Sequence, residues 1–447
     1  MSEHHSIVQL GWVRNPESAV LPFLLGDASF ILSISWDIQE YWLNPEKVTR
    51  LSGLLARFDG RLCCAISDKD DVMLQFGKLS ACDSLEQLAD NIAMPLIFLD
   101  QPLVLEPVDV PKPWGREIWF TGMEARGVSC AEGIPLPWIM SFSPLHLTGG
   151  PWTEPILLKI LDPLAEEVFG DLYFEMHENK QEVYVVTHVD PAAWPEGEGC
   201  IKLGFDPSVV KTYESPESFL NAYKAAVLEY RGIRQTIDGL LDLQRTTLSL
   251  SKSEPVPLDT LKSWLSKVPQ ALIDEEHKKR RHMDRFTYMN RLKPGDVIKV
   301  PTLVPHSLQH GVRVIEFQSP HYERYILSFA QKVLTQDHWD TEEALKKAKL
   351  IFATEEVKVL QEKEDCRVEQ LVMFDSFQAI RIMLEPEAVY ELSPGTYAIA
   401  IGISGEAICG PKQLLPEQAL YIPACSLPLS ISCKEKSCLL IAQPITR

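Results

Sequence analysis

Two stretches of the chain hold side chains whose types and spacing suit a metal ion. In Gly170 to Glu182 (GDLYFEMHENKQE), Glu175 and His177 stand two residues apart. If the strand expected over Leu172 to Met176 carries on to His177, both side chains project to one face, because successive residues of a strand alternate. A tight turn at Glu178-Asn179-Lys180 then starts the adjacent strand near Glu182, whose carboxylate folds back beside His177. The second stretch, Lys293 to Gly311 (KPGDVIKVPTLVPHSLQHG), has a turn at Pro294-Gly295-Asp296, a strand over Val297 to Pro301, and His306 after a Pro-bounded corner. Glu175, His177, Glu182 and His306 make a mixed nitrogen and oxygen donor set for one divalent metal, Zn²⁺ first, with Mn²⁺ or Fe²⁺ as alternatives. Softer, Cys-loving metals are disfavoured.

The elements that must position these residues are mainly β. From residue 106 to 207, short apolar runs separated by turns, among them Ile156 to Leu161, Val183 to His188 and Cys200 to Phe205, read as strands of an antiparallel sandwich or barrel. The Pro-rich segment Glu106 to Gly115 (EPVDVPKPWG) marks the boundary before them. At Ser215-Pro216-Glu217 the texture becomes helical, with Phe219, Tyr223, Val227 and Tyr230 at three- and four-residue spacing, so residues 208–285 form a helical insertion. Strand texture resumes over 286–345, completing the metal-binding unit begun at 106–207. Residues 346–447 form a further β unit that contains no histidine, so no metal is expected there. Residues 1–105 mix strand-like and helix-like runs and read as an accessory α+β region without a chemical motif.

Composition narrows the partners. With 43 basic against 62 acidic side chains, the 447-residue chain carries a formal charge of −19, which repels phosphate backbones and anionic lipid. Nucleic acid and membrane are therefore not expected as partners. No stretch approaches the roughly 20 apolar residues needed to span a bilayer, and Met1 to Leu10 lacks the pattern of a secretion signal, so a cytoplasmic location is expected. The ten cysteines include no CxxC pair and read as reduced thiols. The charged run Asp274 to Arg285 (DEEHKKRRHMDR) reads as a solvated helix face.

Gly-x4-Glu-x-His-x4-Glu followed, across a helical insert, by Gly-x5-Pro-x4-His resembles the two motifs of the cupin superfamily. Within it the chain resembles the type I mannose-6-phosphate isomerases over residues 106–447. Lys112-Pro113-Trp114-Gly115, Pro155 to Asp162, Lys180-Gln181-Glu182, Lys202 to Phe205 and Pro423-Ala424 carry the likeness beside the two metal motifs. Glu175 stands where that family has glutamine, and Tyr173 where it has serine.

The resemblance implies two cupin-type β-barrels, or jelly rolls, with only the first binding metal. It also implies an aldose-ketose isomerase acting on a small phosphorylated sugar, mannose 6-phosphate, by moving a proton between C1 and C2 through an enediolate. On this reading Arg324 and His310 are catalytic, Arg324 by stabilising developing negative charge and His310 by proton transfer. Lys180 and Lys159 bind substrate. Two other readings stand beside it: a non-catalytic or regulatory sugar-binding cupin descended from the isomerase, and a cupin iron oxygenase.

Overall fold

The computed structural model describes the chain apart from residues 1–4, 41–45, 80, 83, 93, 125–126, 153, 335, 394 and 446–447. Strand predominates over helix. The chain divides into two compact units, residues 1–108, 119–158 and 357–447 in one and residues 109–118 and 159–356 in the other. No helix among the described residues is long and apolar enough to cross a membrane.

The first unit contains a six-stranded sheet in which His5–Trp12 runs parallel to Phe30–Glu40 and the remaining pairs are antiparallel. Its core joins Ile31, Leu54 and Ala65 to Phe76 and Leu88 of two short helices. The same unit holds a nine-stranded and a four-stranded sheet built mostly from residues 358–444. Val368, Ile382, Ala400 and Leu439 of the larger sheet meet Ala407, Leu414 and Ile431 of the smaller in one predominantly apolar core.

The second unit carries the candidate site on two facing sheets. Their strands are β1 (Val108–Lys112), β2 (Gly115–Trp119), β3 (Leu157–Pro163), β4 (Phe174–Met176), β5 (Glu182–Val189), β6 (Gly199–Phe205), β7 (Thr287–Leu292), β8 (Val297–Val300), β9 (His306–Leu308), β10 (Val312–Gln318) and β11 (Tyr325–Ser328). One sheet has the order β8-β5-β10-β3-β2-β1 and the other β7-β6-β9-β4-β11. The sheets enclose a common core, to which Tyr184, Val186 and Val314 come from the first and Ile201, Leu308 and Ile326 from the second.

Between β6 and β7 lie α1 (Pro216–Thr247), α2 (Leu258–Leu265) and α3 (Gln270–Asp284). The long helix begins where its capping chemistry allows. The Ser215 hydroxyl accepts from the Ser218 amide at 3.1 Å, the Ser218 hydroxyl accepts from the Ser215 amide at 3.1 Å, and Pro216 occupies the first turn. Phe219, Tyr223, Val227 and Tyr230 of α1 pack on Phe174, Met176, Phe205 and Leu327. The five-stranded sheet is thus covered by helices on one face and by its partner sheet on the other, which leaves Glu175 on the inner side of β4.

Candidate metal centre

Along the inner face of this sandwich the side chains change from charged to apolar. β5 presents Glu182, Tyr184 and Val186 in turn, and β10 presents Gln318, Glu316 and Val314 in the same direction, because Glu182 pairs with Gln318, Tyr184 with Glu316 and Val186 with Val314. On the other sheet Glu175 lies directly across from His306. Two local alternations, aligned by register, therefore gather the ionisable groups at one end. Gly295, at φ +94°, supports the turn that leads into β8, where the Lys293 amide donates to Asp296 at 2.7 Å.

His177, Glu182 and His306 converge at that end, and all three are buried. Both histidine Nε2 atoms stand 3.3 Å from Glu182 Oε2. The other ring nitrogens are committed to backbone: His177 Nδ1 is 2.8 Å from the Glu323 carbonyl and His306 Nδ1 is 3.2 Å from that of Val304. A bond to a carbonyl requires the proton on Nδ1, so each Nε2 faces the carboxylate with a lone pair. Neither Nε2 has a hydrogen-bond partner. Three electron-rich atoms brought together out of water repel one another unless a cation sits among them, and a backbone-anchored Nδ1–H is the usual orienting partner of a metal-ligating histidine. The donor set fits a divalent metal.

The surrounding charges agree with that arrangement. Burial raises the cost of ionising Glu182, but Lys180, whose Nζ lies 2.5 Å from Oε1, holds its carboxyl well below the usual range. Burial and the Lys180 charge keep the His177 ring below its ordinary value, favouring the neutral form that ligates. Tyr184 donates its hydroxyl to Glu182 Oε2 at 3.3 Å.

Glu175 stands beside the three rather than among them. Its Oε1 is 3.8 Å from His177 Nε2, and its Oε2 is buried without a hydrogen-bond partner, 3.8 Å from Arg324 Nη1. Arg324 lies over the Tyr173 ring at 5.0 Å and keeps 28% of its side chain exposed. Lys180 and Lys159, expected to bind substrate, are both buried against carboxylates. The Lys159 ammonium is 3.2 Å from Glu316 and 3.8 Å from Glu117, which in turn pairs with Lys112 at 2.7 Å. Burial works against the Lys159 charge, yet Glu316, Glu117 and Glu182 outweigh it and hold its pKa above the usual lysine range.

Two sequence expectations need correcting here. Glu182 lies on the facing sheet, not on a strand adjacent to that of His177, because the segment after His177 crosses between sheets instead of turning back. His310 is not brought to the metal centre. It lies just before β10, whose first residue, Val312, pairs with Val189 at the opposite end of β5 from Glu182. There its Nδ1 is 2.8 Å from Asp171 and its ring stacks on Trp194 at 4.7 Å.

Spacing gave no sign of Glu117 or Glu323. Glu323 receives the Lys180 amide at 3.1 Å and the amide and side chain of Asn179, so it fixes the crossing segment while its carbonyl orients His177. The available signal was its place immediately before Arg324. For Glu117 it was a lone carboxylate among apolar strand residues.

No family model and no curated protein matches the sequence. Solved structures do resemble it. A mannose 6-phosphate isomerase from Bacillus subtilis is 14% identical with a TM-score of 0.53, covering 77% of this chain and 99% of its own. A phosphomannose isomerase from Salmonella typhimurium is 13% identical with a TM-score of 0.55 and the same coverage. A mannose 6-phosphate isomerase bound with zinc and yttrium is 12% identical with a TM-score of 0.53, covering 77% of this chain and 100% of its own. At these identities the likeness is one of fold, and the chain has the fold of the type I mannose-6-phosphate isomerases.

Proposed function

We propose that this chain is a metal-dependent aldose-ketose isomerase that interconverts mannose 6-phosphate and fructose 6-phosphate, with its two β-sandwiches corresponding to cupin jelly rolls. One observation carries the reading: two buried histidine Nε2 atoms, each with its proton placed on Nδ1, face the ionised Glu182 at 3.3 Å. His177, Glu182 and His306 hold one divalent ion, Zn²⁺ being the best match to the donors, and Glu175 supplies the fourth ligand from its orphaned carboxylate. A divalent ion bound there supplies Lewis-acid stabilisation of the negative charge that develops on the sugar oxygen during the proton shift.

The chain's own residues do the rest. Lys180 keeps Glu182 ionised, and in this reading it also meets a substrate oxygen. Arg324, half-exposed beside Glu175, neutralises charge as the enediolate forms, and the Tyr173 ring beneath it fixes the guanidinium plane. Lys112, Glu117, Lys159 and Glu316 form a line of alternating charge that keeps the interior electrically balanced behind the ligands.

A coupled assay with the two sugar phosphates, run with and without chelator, tests the proposal. Chelator-sensitive turnover in both directions is expected. Binding of a sugar phosphate without turnover would replace isomerisation by sugar binding, and neither binding nor turnover would end the reading.

A further inference from the structure

The helical insertion borders a cavity of about 450 Å³ that none of the metal-centre residues lines. Its volume lies within the range of small-molecule sites. Ile237 and Leu241 of α1, Leu265 of α2 and Ile273 of α3 form apolar walls, closed by Phe169 and Leu334 from two loops. These walls are built parts of the fold. The Gln331 amide, in a side chain only 6% exposed, donates to the carbonyls of Val168 at 3.3 Å and Phe169 at 2.6 Å. That clamp holds Val168 at φ +70°, a conformation costly for a β-branched residue.

The charge of the lining is opposite to that of the chain as a whole. Arg234, Arg245, Arg280 and Lys332 face two carboxylates, Glu167 and Glu276. Three of these cations have a carboxylate close by: Arg234 has Asp238 at 2.7 Å, Lys332 has Asp242 at 2.5 Å, and Arg280 has Glu276 at 3.3 Å. Arg245 is the least closely matched: its Nη1 donates to the carbonyls of Ser251 and Glu254, and its ion-pair partner, Asp242, stands 3.8 Å from its Nε and is held more closely by Lys332. The residue is 5% exposed, and its Nε has no hydrogen-bond partner. Buried guanidinium donors are rarely left unmet. The charged run of α3 is accordingly more than a solvated face, since Glu276 and Arg280 turn inward to this cavity.

We propose that the cavity binds an amphiphilic organic anion, of which a medium-chain carboxylate is the simplest, with its carboxylate on Arg245 and its apolar body against the helices. An alcohol of the same length lacks the charge, and acetate lacks the body. The site is independent of the isomerase reading, so its test does not use turnover.

Titration calorimetry of the full chain with dodecanoate, below the concentration at which it forms micelles, provides that test. One saturable site per chain is expected, with dodecanol at least about tenfold weaker and acetate without measurable binding. Leu241→Trp, which fills the cavity without touching its charges, and Arg245→Gln should each weaken dodecanoate by about tenfold or more. If Arg245→Gln does not fold, the dodecanol arm still reads the contribution of charge. No saturable binding, equal binding of acid and alcohol, or parental affinity in Leu241→Trp would each overturn the proposal.

Discussion

In the sandwich of residues 366–444 the facing strands bring Val368, Ile382, Ala400 and Leu439 against Ala407, Leu414 and Ile431 in a predominantly apolar core. In the sandwich that bears the candidate metal centre the same inward positions hold Val186, Val314 and Leu308 at one end but Glu182, Glu316, Lys159 and His306 at the other. The first arrangement is what sheet packing alone favours, since inner faces fill with apolar side chains and gain from burial. The second forgoes that gain, and buried charges are costly unless each is matched. Lys112, Glu117, Lys159 and Glu316 match one another, whereas His177, Glu182 and His306 present electron pairs with no proton between them. The difference separates an interior that packing alone explains from one that gathers ionisable groups able to hold a metal.

Removing a donor should break the contrast most completely. His306→Ala is expected to drop bound divalent metal from one per chain to near zero and to abolish turnover of mannose 6-phosphate. Elemental analysis beside the coupled assay checks both, and parental metal content would exclude His306 as a ligand. Arg324→Ala should leave metal content at the parental level while lowering kcat by about 100- to 1000-fold, the usual effect of losing one positioned electrostatic contact. Near-parental kcat would place Arg324 outside the reaction.

Stability separates the two interiors next. Lys159→Met leaves Glu316 and Glu117 without their shared cation and should cost about 3–5 kcal/mol. Ile382→Ala, in the apolar sandwich, should cost about 2–5 kcal/mol from lost burial and the cavity left behind, with kcat of the folded protein unchanged. Urea unfolding of each variant gives the figures. If Lys159→Met proves neutral, the charged interior is not held by its ion pairs.

The smallest expected effect is a pH dependence in the apolar half. Burial alone would raise the Glu369 carboxyl, but Arg381, at 2.6 Å, and Arg367, at 2.9 Å, outweigh it and hold its pKa below the ordinary glutamate range. A depressed folded-state pKa stabilises the native state above the unfolded value and loses that contribution as pH falls through the folded one. Lowering the pH from about 7 to about 3 should therefore cost the parent more stability than Glu369→Gln, by an amount on the order of 1 kcal/mol. Urea midpoints for both proteins at the two pH values would show it, and identical pH dependence would remove Glu369 as a contributor.

The inward direction of Glu175 and the outward direction of Phe174 and Met176 were legible in the sequence, because the pleat alternates side chains without reference to any other strand. The start of α1 at Ser215 was legible for the same reason, since a cap is made by residues three apart. Which sheet received Glu182, and which end of the sandwich received His310, depended on pairing between strands far apart in the chain. Shifting a register by one residue would have turned each side chain to the opposite face. The partners of Lys159 and the orienting role of Glu323 likewise came only with the tertiary structure, because a buried charge is defined by what lies across the interior. The sequence by itself determined which residues were chemically able to hold a metal and which way each would face along its strand; only the packing of the two sheets decided that three of them meet.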